Sequence, residues 1–294
     1  MQQIAERDGQ SDGSTMSAWL VDAFTSAPLR GGPAFVIEPF CEWPADAQMQ
    51  AIAAELAQPE TAFLRRTAGS DRFGIRWFTP TAEAPLCGHA TLAAAHVLFA
   101  EEAAGATSLT FDSLGGTLSA RKLGTSYELD FPADAPRRIG APRGLAQALG
   151  GRTAEVWCGR QYLCAVLGCE EDVRSFVPDL GAIAAVSNEQ GYEKGSLVIT
   201  AAAEPAKPYD AVSRFFAPLF GIPEDPVTGS AHCMLAPLYA GKTGQRRLRF
   251  AQAYPGRGAE LECELLADRV LLRGSAVTVV SGSISPLLTG LGLT

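Results

Sequence analysis

One short pattern occurs twice in this chain, and the repetition constrains the fold more than any other feature. The first copy holds Phe78-Thr79-Pro80, Glu83, Pro85 and Cys87-Gly88-His89-Ala90-Thr91. The second holds Phe216-Ala217-Pro218, Glu224-Asp225-Pro226 and Thr228-Gly229-Ser230-Ala231-His232. Aligned on Gly88 and Gly229, Glu83 meets Glu224, Pro85 meets Pro226, Cys87 meets Thr228 and Ala90 meets Ala231. The Phe-x-Pro starts fall out of step, so one copy carries a short insertion. Each copy runs into a small-residue pattern of helical spacing. Two such halves can aim two helix N-termini at one place, where unpaired amides and the positive dipole end suit a carboxylate. Capping by Thr228 and Ser230 is the plainer reading of one copy alone; the duplication favours a site.

The rest of the chain reads as strands around these helices. Strands are predicted at Ala18–Phe24, Ala34–Ile37, Thr61–Leu64 and Phe73–Phe78, with more across 107–131. Helical spacing covers Pro44–Ala57 and, apolar nearly all round, Thr91–Ala104. Beyond a proline-rich stretch, 132–142, the theme repeats: strands within 155–167 and at 196–200, a short helix over 179–185, a second apolar helix over 231–239 and closing strands from 247 to 280. The expected organisation is a disordered leader (1–16), an N-terminal lobe (17–131, completed by about 283–294) and a C-terminal lobe (132–282), an α/β (α+β) protein with its cleft between the lobes.

Charge and composition narrow the function. A net charge of −8 argues against nucleic acid or an acidic membrane as partner, and no window has the apolar length of a membrane span. Seven cysteines without a regular framework suit a reducing, cytoplasmic setting. Of the three histidines (89, 96, 232), only His89 and His96, seven apart, stand at a spacing that could suit a metal, and no phosphate-binding glycine loop occurs. Neither a metal nor a cofactor is expected.

Chemistry must then come from side chains. Cys87 and Thr228 hold matching places, and a threonine hydroxyl does not ionise near neutrality, so symmetric two-thiol racemisation is disfavoured. Glu60, where a helix gives way to an apolar strand, is a candidate proton carrier; a carboxyl in such surroundings has a raised pKa. Asp225, beside the Thr228 loop, and His89, at a helix start, are site candidates. Gly88 and Gly229 offer amides. His96 and Cys233 read as core, and His232 as structural.

Together, Val21-Asp22-Ala23-Phe24-Thr25, Pro59-Glu60-Thr61-Ala62-Phe63-Leu64, Trp77-Phe78-Thr79-Pro80, Cys87-Gly88-His89-Ala90-Thr91 and the run from Arg214 through Glu224-Asp225-Pro226-Val227-Thr228-Gly229-Ser230 closely resemble the PhzF-like family of phenazine-biosynthesis isomerases. The resemblance implies a diaminopimelate-epimerase-like fold of two pseudo-symmetric lobes, each a mostly antiparallel sheet around a central helix. It implies a homodimer without cofactor, acting on a small unsaturated carboxylic acid by moving a proton between carbons. It assigns the catalytic glutamate to Glu60 and its helpers to His89, Asp225 and Ser230, with Gly88, Gly229, Cys87 and Thr228 at the substrate. Gln252 and Arg257 match a weaker late pattern. One departure stands out: the family's Gly-Asn-Pro is Gly31-Gly32-Pro33 here, which bears on substrate more than on fold. A proline-racemase-type dehydratase or epimerase using Cys87, and a non-catalytic small-acid-binding protein, are the alternatives.

Overall fold

In a computed structural model, which describes residues 16–284 except 68, 104 and 190–195, the chain forms one continuous sheet folded around two central helices. The first half contributes strands Met16–Ala23, Gly32–Phe40, Glu60–Arg66, Arg72–Phe78, Ser108–Ser113, Gly116–Leu123 and Ser126–Pro132. Neighbours pair antiparallel except at two parallel joints, between the second and third strands and between the fourth and fifth. The second half runs Glu155–Cys158, Leu163–Val166, Leu197–Ala202, Ala211–Ala217, Arg247–Gln252, Ala259–Leu266 and Arg269–Gly274, with parallel joints at the same two places. The last strands of the halves pair antiparallel with each other.

Parallel neighbours cannot be joined by a tight turn; they need a crossover, usually a helix. That explains where the repeat lies. Gly88–Glu101 and Gly229–Thr243 are the crossovers at the second parallel joint of each half. The first begins three residues before the expected Thr91, because Gly88 and His89 already belong to its first turn. Both helices are buried almost all round and enter a single core, to which Leu92 and Leu98 of one and Met234 and Leu235 of the other belong. Their N-termini touch at the repeated glycines. A Cβ on Gly88 would lie 3.1 Å from the Gly229 Cα, and one on Gly229 would lie 3.2 Å from the Gly88 Cα. The missing side chains let the two helix ends approach backbone to backbone.

Each half also hands a strand to the other. Arg137–Ile139 follows the first half but pairs with Glu155–Cys158 of the second. Ala276–Ile284 follows the second but pairs with Met16–Ala23 of the first. The stretch 132–142, expected as a linker, therefore carries a paired strand. Met16, expected in the leader, opens the first strand. Residues 1–15 of that leader and 285–294 lie outside the described residues. Among the described residues no helix is long and apolar enough to cross a membrane.

Ala211–Ala217 has no counterpart in the sequence expectations. Every residue in it is buried, so it lacks the alternation of a half-exposed strand, and Arg214 interrupts its apolar run.

Candidate active site

The two helix starts open onto a cleft of about 320 Å³ lined from both halves. Glu60, Cys87, Gly88 and His89 come from the first half; Asp225, Thr228, Gly229 and Ser230 come from the second. All eight residues singled out in the sequence thus reach one cavity, although Glu60 is far in sequence from either copy of the repeat. Gln252 and Arg257 do not line it.

The first wall is a buried acid–imidazole–thiol group. Glu60 opens the strand Glu60–Arg66, beside Ala34 across the parallel joint. Its Oε2 lies 2.9 Å from His89 Nε2, an ion pair when the ring is protonated, and neither atom has a further hydrogen-bond partner among the described residues. On the other side of the ring, Cys87 Sγ lies 3.6 Å from His89 Nδ1. Burial works against an imidazolium at His89, yet Cys87 and Glu60 outweigh it and hold the pKa well above the ordinary histidine value. Burial, reinforced by the Glu60 charge, pushes the Cys87 thiol up to about 11, so it is protonated at neutral pH.

The second wall is a buttressed loop. Asp225 accepts a hydrogen bond from the Thr228 hydroxyl at 2.6 Å. Gln252 accepts from the Thr228 amide at 2.8 Å and donates to the Asp225 carbonyl at 2.7 Å. Burial raises Asp225 to about 7, with His89 pulling it down and Glu60 pushing it up. Thr228 is thereby committed to Asp225 rather than to the helix. No side-chain cap closes either central helix, so the capping reading of Thr228 and Ser230 gives way to another arrangement. The Ser230 hydroxyl pairs at 2.8 Å with that of Tyr162.

Tyr162 escaped the sequence reading. It arrives on the turn between Glu155–Cys158 and Leu163–Val166 and packs edge-on against Phe215. No repeat or motif marks it; only its place before an apolar strand could have drawn notice. Arg257 serves a different loop, donating to the Gly31 carbonyl at 3.0 Å and pairing with Asp22. His232 is structural as expected: Nδ1 meets the Thr228 carbonyl at 2.8 Å, and burial lowers its pKa to about 4. Burial likewise pushes Cys233 up to about 12. His96 sits half-buried at the core's margin rather than within it, tied to Tyr127 and Thr278 at 2.9 Å each.

The repeated glutamates prove to be clasps. Arg76 grips Glu83 through two hydrogen bonds of 2.7 Å, and Arg214 grips Glu224 through bonds of 2.7 and 2.8 Å. Each arginine lies two residues before the Phe of its Phe-x-Pro, so each strand is locked to the loop that enters its central helix. The halves differ where chemistry requires it. The first parallel joint begins with Ala34 beside Glu60, and its counterpart begins with Leu163 beside Leu197. An apolar residue stands where a second carboxylate would be.

Comparison with known proteins agrees with this fold. A family described as phenazine biosynthesis-like protein matches residues 21–282. An uncharacterized isomerase of Pseudomonas aeruginosa is 44% identical, over 90% of this chain and 96% of that protein. The crystal structure of a phenazine biosynthesis protein, PhzF family, from Enterococcus faecalis superposes with a TM-score of 0.83 at 36% identity, covering 92% of this chain and 99% of that one. A probable proline racemase from Agrobacterium radiobacter shares the fold at a TM-score of 0.62 and 11% identity, covering 95% and 97%.

Proposed function

This chain belongs to the phenazine biosynthesis-like family, and we propose that it is a cofactor-independent isomerase that moves a proton between carbons of a small unsaturated carboxylic acid, with Glu60 as the single acid and base. The substrate carboxylate would sit against the uncapped helix starts at Gly88 and Gly229, where backbone amides and both dipoles favour an anion. The Glu60 carboxylate takes a proton from one carbon as that C–H bond breaks. The negative charge spreads into the conjugated acid, stabilised by the imidazolium of His89 and the donors around Ser230. Glu60 then returns the same proton to a second carbon, so no redox partner is consumed and the base is regenerated.

One observation carries the reading: the cleft holds a buried carboxylate, Glu60, beside His89 on one wall, while the place that matches Cys87 on the other wall is Thr228, whose hydroxyl is committed to Asp225. Two-thiol racemisation lacks its second thiol. A thiol held up near 11 is also a poor neutral-pH base, which weighs against the dehydratase reading through Cys87. The test is proton NMR in heavy water with a panel of unsaturated and amino cyclic carboxylic acids. Deuterium should enter a carbon position with wild type, fall at least a thousandfold with Glu60→Gln, and persist within about tenfold with Cys87→Ser. Loss confined to Cys87→Ser would move the chain to the thiol branch. A ligand that raises Tm without any exchange would make it a binding protein.

A further inference from the structure

We infer that Tyr162 is a positioning residue for the proton transfer: its hydroxyl donates to Ser230 Oγ and so leaves the Ser230 proton to point at the substrate. This role rests on the isomerase reading above. The two hydroxyls lie 2.8 Å apart, and neither has another hydrogen-bond partner among the described residues. Both residues line the cleft. A phenol is the better donor and an alkyl hydroxyl the better acceptor, so the shared proton belongs to Tyr162. Burial keeps it there, holding the phenol pKa above its ordinary value. A serine in a helix otherwise turns its proton back to a carbonyl of the preceding turn. One that already accepts a bond is polarised and donates more strongly.

The repeat shows why a tyrosine stands here. Aligned on Gly88 and Gly229, His89 meets Ser230. His89 has Glu60 beside it, at the start of a strand of its own half. The corresponding strand pair of the second half begins with Leu163 beside Leu197, so Leu197 holds the place of Glu60 and offers no polar group. The support comes from the neighbouring strand instead. Tyr162 directly precedes Leu163, as Pro33 directly precedes Ala34 in the first half. Each half thus gives the polar residue at its helix start one partner from the same strand pair: a carboxylate for the imidazole, a phenol for the hydroxyl.

Tyr162 is also held firmly. Its carbonyl accepts from the Gly159 amide at 3.0 Å, which closes the turn. Buried Asp134 accepts from the Arg160 amide of that turn at 2.9 and 3.0 Å through its two oxygens. The ring meets Phe215 edge-on with centroids 5.1 Å apart, and Phe215 lies across the sheet from Asp225. A donor aimed at developing charge acts fully only when it is fixed beforehand.

Tyr162→Phe removes one oxygen and keeps the ring on Phe215. The test follows deuterium entry from heavy water into whichever acid of the panel wild type exchanges fastest, with kcat and KM separated, for wild type, Tyr162→Phe, Ser230→Ala and the double variant. Ser230→Ala should lower kcat about a hundredfold. Tyr162→Phe should lower it about tenfold, the worth of one hydrogen bond, with KM moved less than about threefold. The double variant should be no slower than Ser230→Ala, because the phenol then has nothing to position. Lost packing would multiply the two effects instead. Melting curves establish that each variant is folded. In parallel, protein labelled with carbon-13 at tyrosine Cζ is examined by NMR, and the resonance that Tyr162→Phe deletes should shift in Ser230→Ala. Multiplicative losses, unchanged kcat in Tyr162→Phe, or a Tyr162 resonance indifferent to Ser230→Ala overturns the role of Tyr162 and leaves the isomerase standing. Absence of exchange by wild type with every acid overturns the isomerase reading, and this role with it.

Discussion

Single atoms decide what this cleft accepts. Gly32, where the resembling family carries asparagine, has no room for a side chain: a Cβ there would lie 2.2 Å from Val227 Cγ1 and 3.2 Å from the His89 ring. Val227 is fully buried and sits on the loop between Asp225 and Thr228. The valine thus fills the volume that a longer residue at position 32 would take, and the first wall loses a polar amide in exchange for an apolar contact. Gly32→Asn should therefore cost about 1–3 kcal/mol by overpacking. In a Val227→Ala background the same change should cost less, giving a coupling of at least ~0.5 kcal/mol in a denaturant double-mutant cycle. Strict additivity would show that the two positions do not compete for space. The sequence made the departure at Gly32 visible but not its partner, because the contact joins two halves that no local pattern connects. Glu60, Cys87, His89 and Asp225 were legible because their motifs are local. Tyr162 was not, because its partner Ser230 lies in another element.

At the scale of elements, the repeat encodes two strand–clasp–helix units. The sequence showed Glu83 and Glu224 as matched residues; it did not show that their partners are Arg76 and Arg214, each in a strand of its own half. The clasps are unequal. Arg214 is 3% exposed and also donates to the Phe176 carbonyl at 2.6 Å, whereas Arg76 is more open and shares itself with exposed Asp46. Removing one partner of a buried pair strands the other charge. Arg214→Met should cost roughly 3–5 kcal/mol and Arg76→Met clearly less, measured by urea unfolding. Equal losses would mean that burial does not set the strength of the clasp. Helix existence was readable from apolar spacing; the early start at Gly88 was not, since a glycine at a helix end scores as a breaker until its close approach to Gly229 is known.

For the whole molecule, the buried acids make stability depend on pH. Asp225 has a folded pKa of about 7, above its ordinary value of 3.8, so between those values the native state holds a proton that the unfolded chain has released. Stability falls as pH rises through that window. His89, also held above its ordinary value, acts in the same direction: its contribution is complete below the unfolded histidine pKa and is lost as pH rises through the folded one. Asp225→Asn removes the first effect. Its stability relative to wild type should therefore grow between pH 4 and 7, by up to about 1.4 kcal/mol per pH unit, as followed by thermal melts across a buffer series. A constant difference would show that Asp225 titrates normally, despite Glu60 and His89 facing it. The two-lobed plan was legible at this scale because a duplicated motif implies duplicated halves. The strand exchange was not: Arg137–Ile139 lies in a proline-rich stretch that reads as a linker.

That exchange also bears on how the protein comes into being. Of the described strands, Met16–Ala23 is synthesised first, yet one of its two neighbours, Ala276–Ile284, is synthesised after all the others. Pairing so remote in sequence carries a high closure cost and slows folding. The first half must wait with an open edge until the second half has been synthesised, and the cleft, whose walls come from both halves, cannot assemble before the loop from Asp225 to Ser230 has been made. A nascent fragment would bear the complete first copy of the motif and still have no pocket.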